Sequence, residues 1–350
     1  MIVKKSILHK RLCFAALPAV FILAGCLRAP GTTAQTEYAL GTFCTIELFE
    51  NGSSGLYNRL FTRLAELEQK LSANRDDSEL VMVNRNAGLG PVQISPELLV
   101  VLERALYFAG ISGGAFDPTA GPLVKLWGIG TETPRIPSNG EIDAVLDLVD
   151  WRELETVQNA VNTAFLKRQG MALDLGAIAK GYAADELVRI LAEENIPRAI
   201  INLGGDLYVW GTKTDGKPWF IGIQDPLDDP GNYSGILELR GSTSVVSSGV
   251  YERYFTGNDG KRYHHILGLT ENEAERGYPA ENGILSVTVI APSAMDADAL
   301  STACFILGYE QGLALANGAE ILFIFEDKTI RGSPGALAIF TPAGDYKVVD

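Results

Sequence analysis

Residues 173–185 read LDLGAIAKGYAAD, and the remainder of the chain can be arranged around them. The segment begins as an apolar strand, breaks at Gly176 and continues as a helix of small residues that runs toward Arg189 and Glu193. A glycine at such a turn lets the backbone approach a ligand closely, and a helix N-terminus attracts anionic groups. Lys180, one turn into the helix, adds a cation. Alone, the pattern indicates either a phosphate site or an ordinary α/β crossover.

Residues 1–25 are predicted to be a lipoprotein signal peptide. A basic start is followed by an apolar run from Leu12 to Leu23, which is too short to span a membrane as a stable helix. The run ends in Leu-Ala-Gly-Cys at residues 23–26, which resembles the bacterial lipobox, in which the cysteine is acylated and begins the mature chain. An ordinary cleavable signal with an incidental Cys26 is the alternative.

The chain is thus divided into the signal, a lipidated tether at residues 26–36 and one folded domain at residues 37–350. Two or more acyl chains on Cys26 give stable anchoring where one would be marginal. We therefore expect an extracytoplasmic protein that its lipid ties to a bacterial membrane, on the periplasmic face and with the inner membrane favoured.

Composition limits the classes of partner. The 350 residues are 47% hydrophobic, enough for one large domain or two interlocked subdomains. Without the four basic residues of the signal, 25 basic residues remain against 43 acidic ones, a net charge of about −18. That charge argues against nucleic acid and anionic lipid as partners. Cys44 and Cys304 stand in apolar surroundings, where we expect buried thiols, with one disulfide as the alternative.

Apolar periodicity predicts strands and helices in alternation. Strands are expected near residues 38–49, 162–168, 171–175, 200–210 (broken by two glycines), 219–224, 244–255, 262–267 and 285–290. Helices are expected near residues 56–71, 95–110, 141–149 and 294–307. The last forty residues are predicted to form a short β-meander.

Two patterns carry candidate chemistry. Asp298 and Thr302 lie four apart on a predicted helix and share a face, and their oxygens suit Mg²⁺; a solvated face with a back-bonded threonine is the alternative. Asp117, in a loop rich in glycine and proline, either caps a turn or lines a ligand site. His264 and His265 are neighbours on a strand, so they face opposite ways, and a zinc site is disfavoured.

Taken together, these segments resemble the ApbE family, the FAD:protein FMN transferases. The segments that carry the resemblance run in family order, at residues 40–42, 78–80, 114–123, 173–182, 202–206, 263–267 and 298–302. The resemblance covers nearly all of the mature chain and implies an α+β fold, with a mixed, mostly antiparallel sheet and packed helices.

The resemblance also implies a site. Magnesium would be bound by Asp298, Thr302 and the backbone carbonyl of Ala177. Residues implied to contact the flavin nucleotide, FAD being the substrate, are Leu40, Asn74, Ala115, Phe116, Asp117, Asp174, Lys180, His265 and Ile266. Catalysis would fall to Lys180 and Asp298, with His265 or a metal-linked carboxylate as the base.

The implied reaction moves FMN from FAD to a threonine or serine hydroxyl of an acceptor protein and releases AMP. Acceptors in the family are typically extracytoplasmic subunits of redox-driven ion pumps or other flavin-carrying electron-transfer proteins. Water in place of the acceptor would give FMN and AMP, a pyrophosphatase activity. The rival interpretations are a non-catalytic lipoprotein that stores FAD and a lipoprotein that binds another solute between two hinged lobes.

Three positions depart from the family pattern. Leu40 replaces a common methionine, and Gly268-Leu269 replaces Asp-Pro. Asn74 replaces an aromatic residue near the adenine, which should weaken FAD retention by about 1–3 kcal/mol, by analogy with base stacking. We therefore predict turnover of FAD rather than tight storage.

Overall fold

A computed structural model describes residues 34–270, 276–316 and 318–349. The predicted signal peptide, Cys26 and residues 26–33 of the tether lie outside the described residues. The first strand begins at Gln35, so the last two residues of the predicted tether are part of the fold. Among the described residues, no helix has both the length and the apolar character needed to cross a membrane.

The described residues form eight α-helices and seventeen strands. The helices are α1 (Ser54–Leu71), α2 (Glu79–Arg85), α3 (Pro96–Ile111), α4 (Gly121–Trp127), α5 (Asn139–Leu146), α6 (Ala179–Glu193), α7 (Ala294–Ala314) and α8 (Pro334–Ala338). The strands are β1 (Gln35–Ala39), β2 (Thr42–Leu48), β3 (Val92–Gln93), β4 (Leu154–Val157), β5 (Thr163–Leu166), β6 (Ala199–Leu203), β7 (Asp206–Trp210), β8 (Trp219–Gln224), β9 (Tyr233–Leu239), β10 (Thr243–Gly249), β11 (Tyr254–Thr256), β12 (Arg262–His264), β13 (Ile284–Ala291), β14 (Glu320–Phe325), β15 (Thr329–Gly332), β16 (Phe340–Pro342) and β17 (Lys347–Val348).

A nine-stranded sheet forms the centre of the fold, in the order β1-β2-β6-β7-β10-β13-β14-β15-β17. In the described part of the chain its neighbours pair antiparallel, except for the parallel pair β15 and β17. Smaller sheets are β16-β9-β8, β3-β5-β4 and the hairpin β11-β12. The predicted α+β class with a mixed, mostly antiparallel sheet is confirmed.

Both faces of the main sheet are covered. On β10, Val246 belongs to the core formed with the helices, whereas its neighbour Val245 packs with residues of the sheet β16-β9-β8. Successive residues of a strand point to opposite faces, so β10 is part of both cores. All eight residues of β13, beside it, are buried for the same reason. Helices α6 and α7 contact the sheet and each other on the first face.

Several predicted elements differ from the structure. The strand expected at 38–49 is a hairpin, because Leu40 and Gly41 form a two-residue turn with φ of 53° and 71°. The strand expected at 244–255 divides into β10 and β11, which lie in different sheets. Residues 171–175 form an isolated bridge at Ala172 instead of a strand. In the C-terminal region, α8 interrupts the expected β-meander. The sequence interpretation missed α2, β3, β4 and β9.

The segment at 173–185 fastens α6 to α7. The Gly181 N–H donates to Asp298 Oδ2 at 3.0 Å. The Asp185 carboxylate accepts hydrogen bonds from Ser293 Oγ and from the first backbone N–H groups of α7. A Cβ on Gly181 would lie 2.2 Å from Ala294 O, so the helices can approach this closely because the residue is glycine.

We expect Gly181→Ala to destabilise the protein by about 1–3 kcal/mol, because the added methyl group overlaps backbone that must shift. Gly140→Ala is the matched control: Gly140 is also helical, and a Cβ there would have no neighbour within 4 Å. Urea unfolding measures both free energies. Equal stability of the two variants would contradict the close helix contact.

His264 is a buried histidine of the core rather than a site residue. Its ring is 5% exposed and packs edge-on against Phe305. Nδ1 accepts from the Ile266 N–H and Nε2 donates to Ala280 O, so the neutral ring is fully bonded. Burial lowers the pKa of His264 to about 4.

This pKa makes stability depend on pH. The unfolded chain, with a histidine pKa near 6.5, binds the proton more readily, so stability is lost as pH falls from about 6.5 to 4, reaching about 3 kcal/mol at pH 4. We expect His264→Gln to reduce the slope of unfolding free energy against pH in that interval, measured by urea titration. A slope equal to that of the unmodified protein would show that His264 does not titrate there.

Candidate functional site

Lys180 lies at the centre of a cluster of oxygens beside the α6–α7 contact. Its Nζ lies 2.8 Å from Asp206 Oδ2, 3.6 Å from Asp298 Oδ1 and 3.5 Å from Gly176 O. Both carboxylates are buried, Asp298 at 2% and Asp206 at 4% exposure. The structure therefore brings together Lys180 and Asp298, both of which the resemblance implied to be catalytic. They meet beside the turn at Gly176.

The cluster brings three carboxyl groups near two cations, Lys180 and Arg253. Burial would lower the pKa of Lys180, but Asp206, Asp298 and Glu252 outweigh it, and the net pKa is raised. Burial, together with the negative charge of Asp206, raises the pKa of Asp298. Loss of solvation and the negative charges of Asp206 and Asp298 raise the pKa of Glu252 to about 8. An additional cation would favour the ionised form of these carboxyl groups.

The oxygens of α7 suit a hard cation. Thr302 follows Asp298 by one turn, and its Oγ1 lies 3.2 Å from Ser248 Oγ on β10. Both Asp298 oxygens keep lone pairs beyond those engaged by Gly181 and Lys180. Ala177, the third implied ligand, lies in the turn that follows Gly176. Carboxylate, hydroxyl and carbonyl oxygens are the ligands that Mg²⁺ accepts, with waters and phosphates supplying the rest.

These residues fit a magnesium site in which the protein supplies only some of the ligands and a bound substrate supplies others. Among the described residues, no group of three or more His, Cys, Asp or Glu side chains is arranged to hold a metal ion. A site with one carboxylate, one hydroxyl and one carbonyl leaves positions for phosphate oxygens.

His265 presents an unprotonated nitrogen toward the cluster. Its Nδ1 lies 3.3 Å from Arg253 O, which can only accept, so Nδ1 carries the proton. Nε2 is then a free base, 4.0 Å from Glu252 Oε2. Burial and the nearby Arg253 charge lower the pKa of His265 to about 3, which keeps the ring neutral at pH 7. His264 and His265 have separate contacts, as predicted for neighbours facing opposite ways.

The loop at 115–118 lies beside the segment at 172–174. Pro118 O accepts from the Asp174 N–H at 2.9 Å, and Gly121 N–H donates to Ala172 O. The side chains of Ala115 and Phe116 are buried in the core, so any ligand would meet their backbone.

Asp117 has the bonds of a capping residue. It accepts from Thr119 N–H and Oγ1 and from the Trp151 N–H. The capped turn expected from the sequence is present, and contact of Asp117 with the flavin nucleotide stays a prediction.

The remaining residues implied to contact the flavin nucleotide are described by their local surroundings. Asp174 turns its carboxylate to the Gly176 N–H, and Ile266 is buried behind His265. Leu40 lies at the tip of the β1–β2 hairpin. Asn74 is exposed after α1, and its N–H donates to the nearby Ser72 Oγ.

Sequence reasoning missed Asp206 and Glu252. Asp206 follows the glycine pair that ends β6, and an acid directly after such a break, at the start of a buried strand, was the available signal. Glu252 follows β10 and had no comparable signal, since its approach to Lys180 depends on the fold.

Comparison with known proteins places the chain in a family. The model of the ApbE family matches residues 40–325. A protein of Treponema pallidum (strain Nichols) named FAD:protein FMN transferase is 39% identical over 320 residues, which cover 86% of this chain and 86% of that protein. A protein of the same name from Klebsiella pneumoniae (strain 342) is 36% identical over 315 residues, which cover 89% of this chain and 95% of that protein.

Solved structures of the same family resemble the fold of this chain. The ApbE protein from Thermotoga maritima has a TM-score of 0.78 and 31% identity, covering 88% of this chain and 99% of that one. The flavin transferase ApbE from Vibrio cholerae has a TM-score of 0.77 and 30% identity, with the same coverage. The resemblance found in the sequence is confirmed, and with a family match over most of its length the chain belongs to the ApbE family.

Proposed function

We propose that this protein transfers FMN from FAD to a threonine or serine hydroxyl of an acceptor protein in a Mg²⁺-dependent reaction that releases AMP. When no acceptor is bound, water takes its place and FAD is hydrolysed to FMN and AMP. The observation that carries the proposal is the convergence of Lys180, Asp298 and Thr302 at one helix contact, in a chain whose relatives are named FAD:protein FMN transferases.

The arrangement suits displacement at a pyrophosphate. The acceptor oxygen forms a bond to the FMN phosphorus, and the bond from that phosphorus to the bridging oxygen breaks, so that AMP leaves with the bridging oxygen. When bound, Mg²⁺ supplies positive charge to the phosphate oxygens. Lys180, held by Asp206 and Asp298, adds a fixed cation at the same place.

His265 would take the proton of the acceptor hydroxyl. Its neutral ring and free Nε2 make it competent as a base at pH 7. A pKa this low makes it a weak base, so the proton would pass onward from Nε2 to water.

The proposal includes the cellular setting inferred from the sequence. The lipobox-like residues 23–26 support attachment of the domain to a membrane through Cys26, with the acceptor an extracytoplasmic protein of the redox ion-pump type. Flavin and acceptor would then meet at the membrane surface.

Asp298→Asn should abolish Mg²⁺-dependent release of AMP from FAD, by at least about 10²-fold, because the neutral amide loses the metal but keeps an oxygen for Gly181 N–H. The matched control is Asp296→Asn, two residues away on the same helix. Asp296 pairs with Arg104 instead, so its variant should retain AMP release. Chromatography of AMP and FMN gives both rates.

The rival interpretation, a lipoprotein that stores FAD, predicts a different experimental result. FAD that is bound but yields no AMP, with Mg²⁺ and an acceptor peptide present, would support a storage lipoprotein and contradict the transferase. AMP release by Asp298→Asn equal to that of the control would contradict the metal assignment.

Asn74→Tyr should strengthen FAD retention by about 1–3 kcal/mol, a change of roughly 5- to 150-fold in Kd, if the aromatic ring stacks on the adenine. The exposed position of Asn74 leaves space for the larger side chain. Flavin fluorescence during titration measures the Kd, with Asn74→Leu as a control for added apolar bulk. Equal affinities for the tyrosine and leucine variants would rule out stacking.

A further inference from the structure

Three hydroxyl groups form a continuous chain behind the proposed metal ligands. Thr302 Oγ1 lies 3.2 Å from Ser248 Oγ, which lies 2.8 Å from Ser301 Oγ. Ser301 Oγ in turn lies 2.9 Å from the backbone carbonyl oxygen of Asp298. Ser301 is fully buried and Ser248 is 8% exposed, so water has little access to the chain.

The carbonyl at the end of this chain determines the direction of every bond. A carbonyl oxygen can only accept, and each hydroxyl has one proton to donate. Ser301 therefore donates to Asp298 O, which obliges Ser248 to donate to Ser301 Oγ. The proton of Ser248 is then used, so Thr302 must donate to Ser248 Oγ.

The direction leaves Thr302 as an acceptor toward the site. Its proton points to β10, and both of its lone pairs remain for a ligand on the face of α7 that it shares with Asp298. A hydroxyl with its proton turned toward a cation would instead repel it. A threonine that binds a cation through neutral oxygen needs this orientation.

We infer that Ser301 and Ser248 are positioning residues that fix the Thr302 hydroxyl as an acceptor for a divalent cation, an inference that rests on the metal site of the proposed function. Neither serine is among the proposed ligands. They act through hydrogen-bond polarity, as outer partners of metal ligands commonly do.

Two variants interrupt the chain at different points. Ser301→Ala removes the acceptor of Ser248, whose proton is then free to turn to Thr302 Oγ1 and occupy a lone pair. Ser248→Ala removes the acceptor of Thr302, whose proton is then free to rotate toward the site. Because the variants lie in different elements, α7 and β10, failure of one to fold leaves the other as a test.

Ser247→Ala is the matched control. Ser247 precedes Ser248 on β10 and therefore faces the opposite side of the sheet, where its hydroxyl is bonded to Thr288. Ser247→Ala also removes one hydroxyl and one hydrogen bond, but this hydroxyl is not part of the row formed by Thr302, Ser248 and Ser301.

The test is a titration of Mn²⁺ into the purified protein without FAD, with free Mn²⁺ measured by electron paramagnetic resonance and folding checked by circular dichroism. Ser301→Ala and Ser248→Ala should each raise the Kd about 10-fold or more, while Ser247→Ala leaves it unchanged. In turnover, the Mg²⁺ concentration for half-maximal AMP release should rise similarly, with the maximal rate restored at saturating Mg²⁺.

The outcomes separate this inference from the function on which it rests. If the folded variants bind Mn²⁺ as the unmodified protein does, the positioning role is wrong and the transferase proposal stands. If the unmodified protein binds no Mn²⁺, the inference fails together with the metal site. If Mn²⁺ binding falls as expected but FAD yields neither AMP nor a flavinylated acceptor, the positioning role holds and the transferase proposal fails.

Discussion

The contact between Gly181 and the start of α7 is the constraint on which the site depends. Without a Cβ, Gly181 lets its backbone approach Ala294 O and donate to the Asp298 carboxylate. Asp185 secures the same contact by capping α7 from α6. The two helices are thereby held in one register, and this register places Lys180 against Asp298. The chemistry of the cluster is thus a consequence of how two helices pack.

The charges of the cluster explain why a bound cation would be favoured there. Asp206 and Asp298 are buried beside a single ammonium group, with Glu252 nearby. Buried charge is stable when paired, and here two buried aspartates share the Lys180 ammonium. A divalent cation would complete the pairing, and phosphate groups brought with it would then be stabilised by Lys180. The same arrangement therefore prepares a site for a cation and for pyrophosphate chemistry.

Local patterns in the sequence were sufficient for some features and insufficient for others. The strand at 219–224 was predicted because apolar residues recur at every second position, and the helix that contains Asp298 was predicted because Ser293 is a typical N-cap. The turn at Leu40 was missed because a leucine rarely adopts positive φ. The ion pair of Asp206 with Lys180 was missed because it joins residues from a hairpin and a helix, and no spacing within either element reveals that contact. The family resemblance supplied what periodicity could not.

The proposed metal site requires that α7 and the turn before α6 together bind a divalent cation. The most direct test is anomalous diffraction from a crystal of the protein soaked in Mn²⁺. We expect one strong peak within about 2.2 Å of oxygens from Asp298, Thr302 and the Ala177 carbonyl, a separation typical of Mg²⁺-type sites. A peak at other residues, or none near α7 at saturating Mn²⁺, would contradict it.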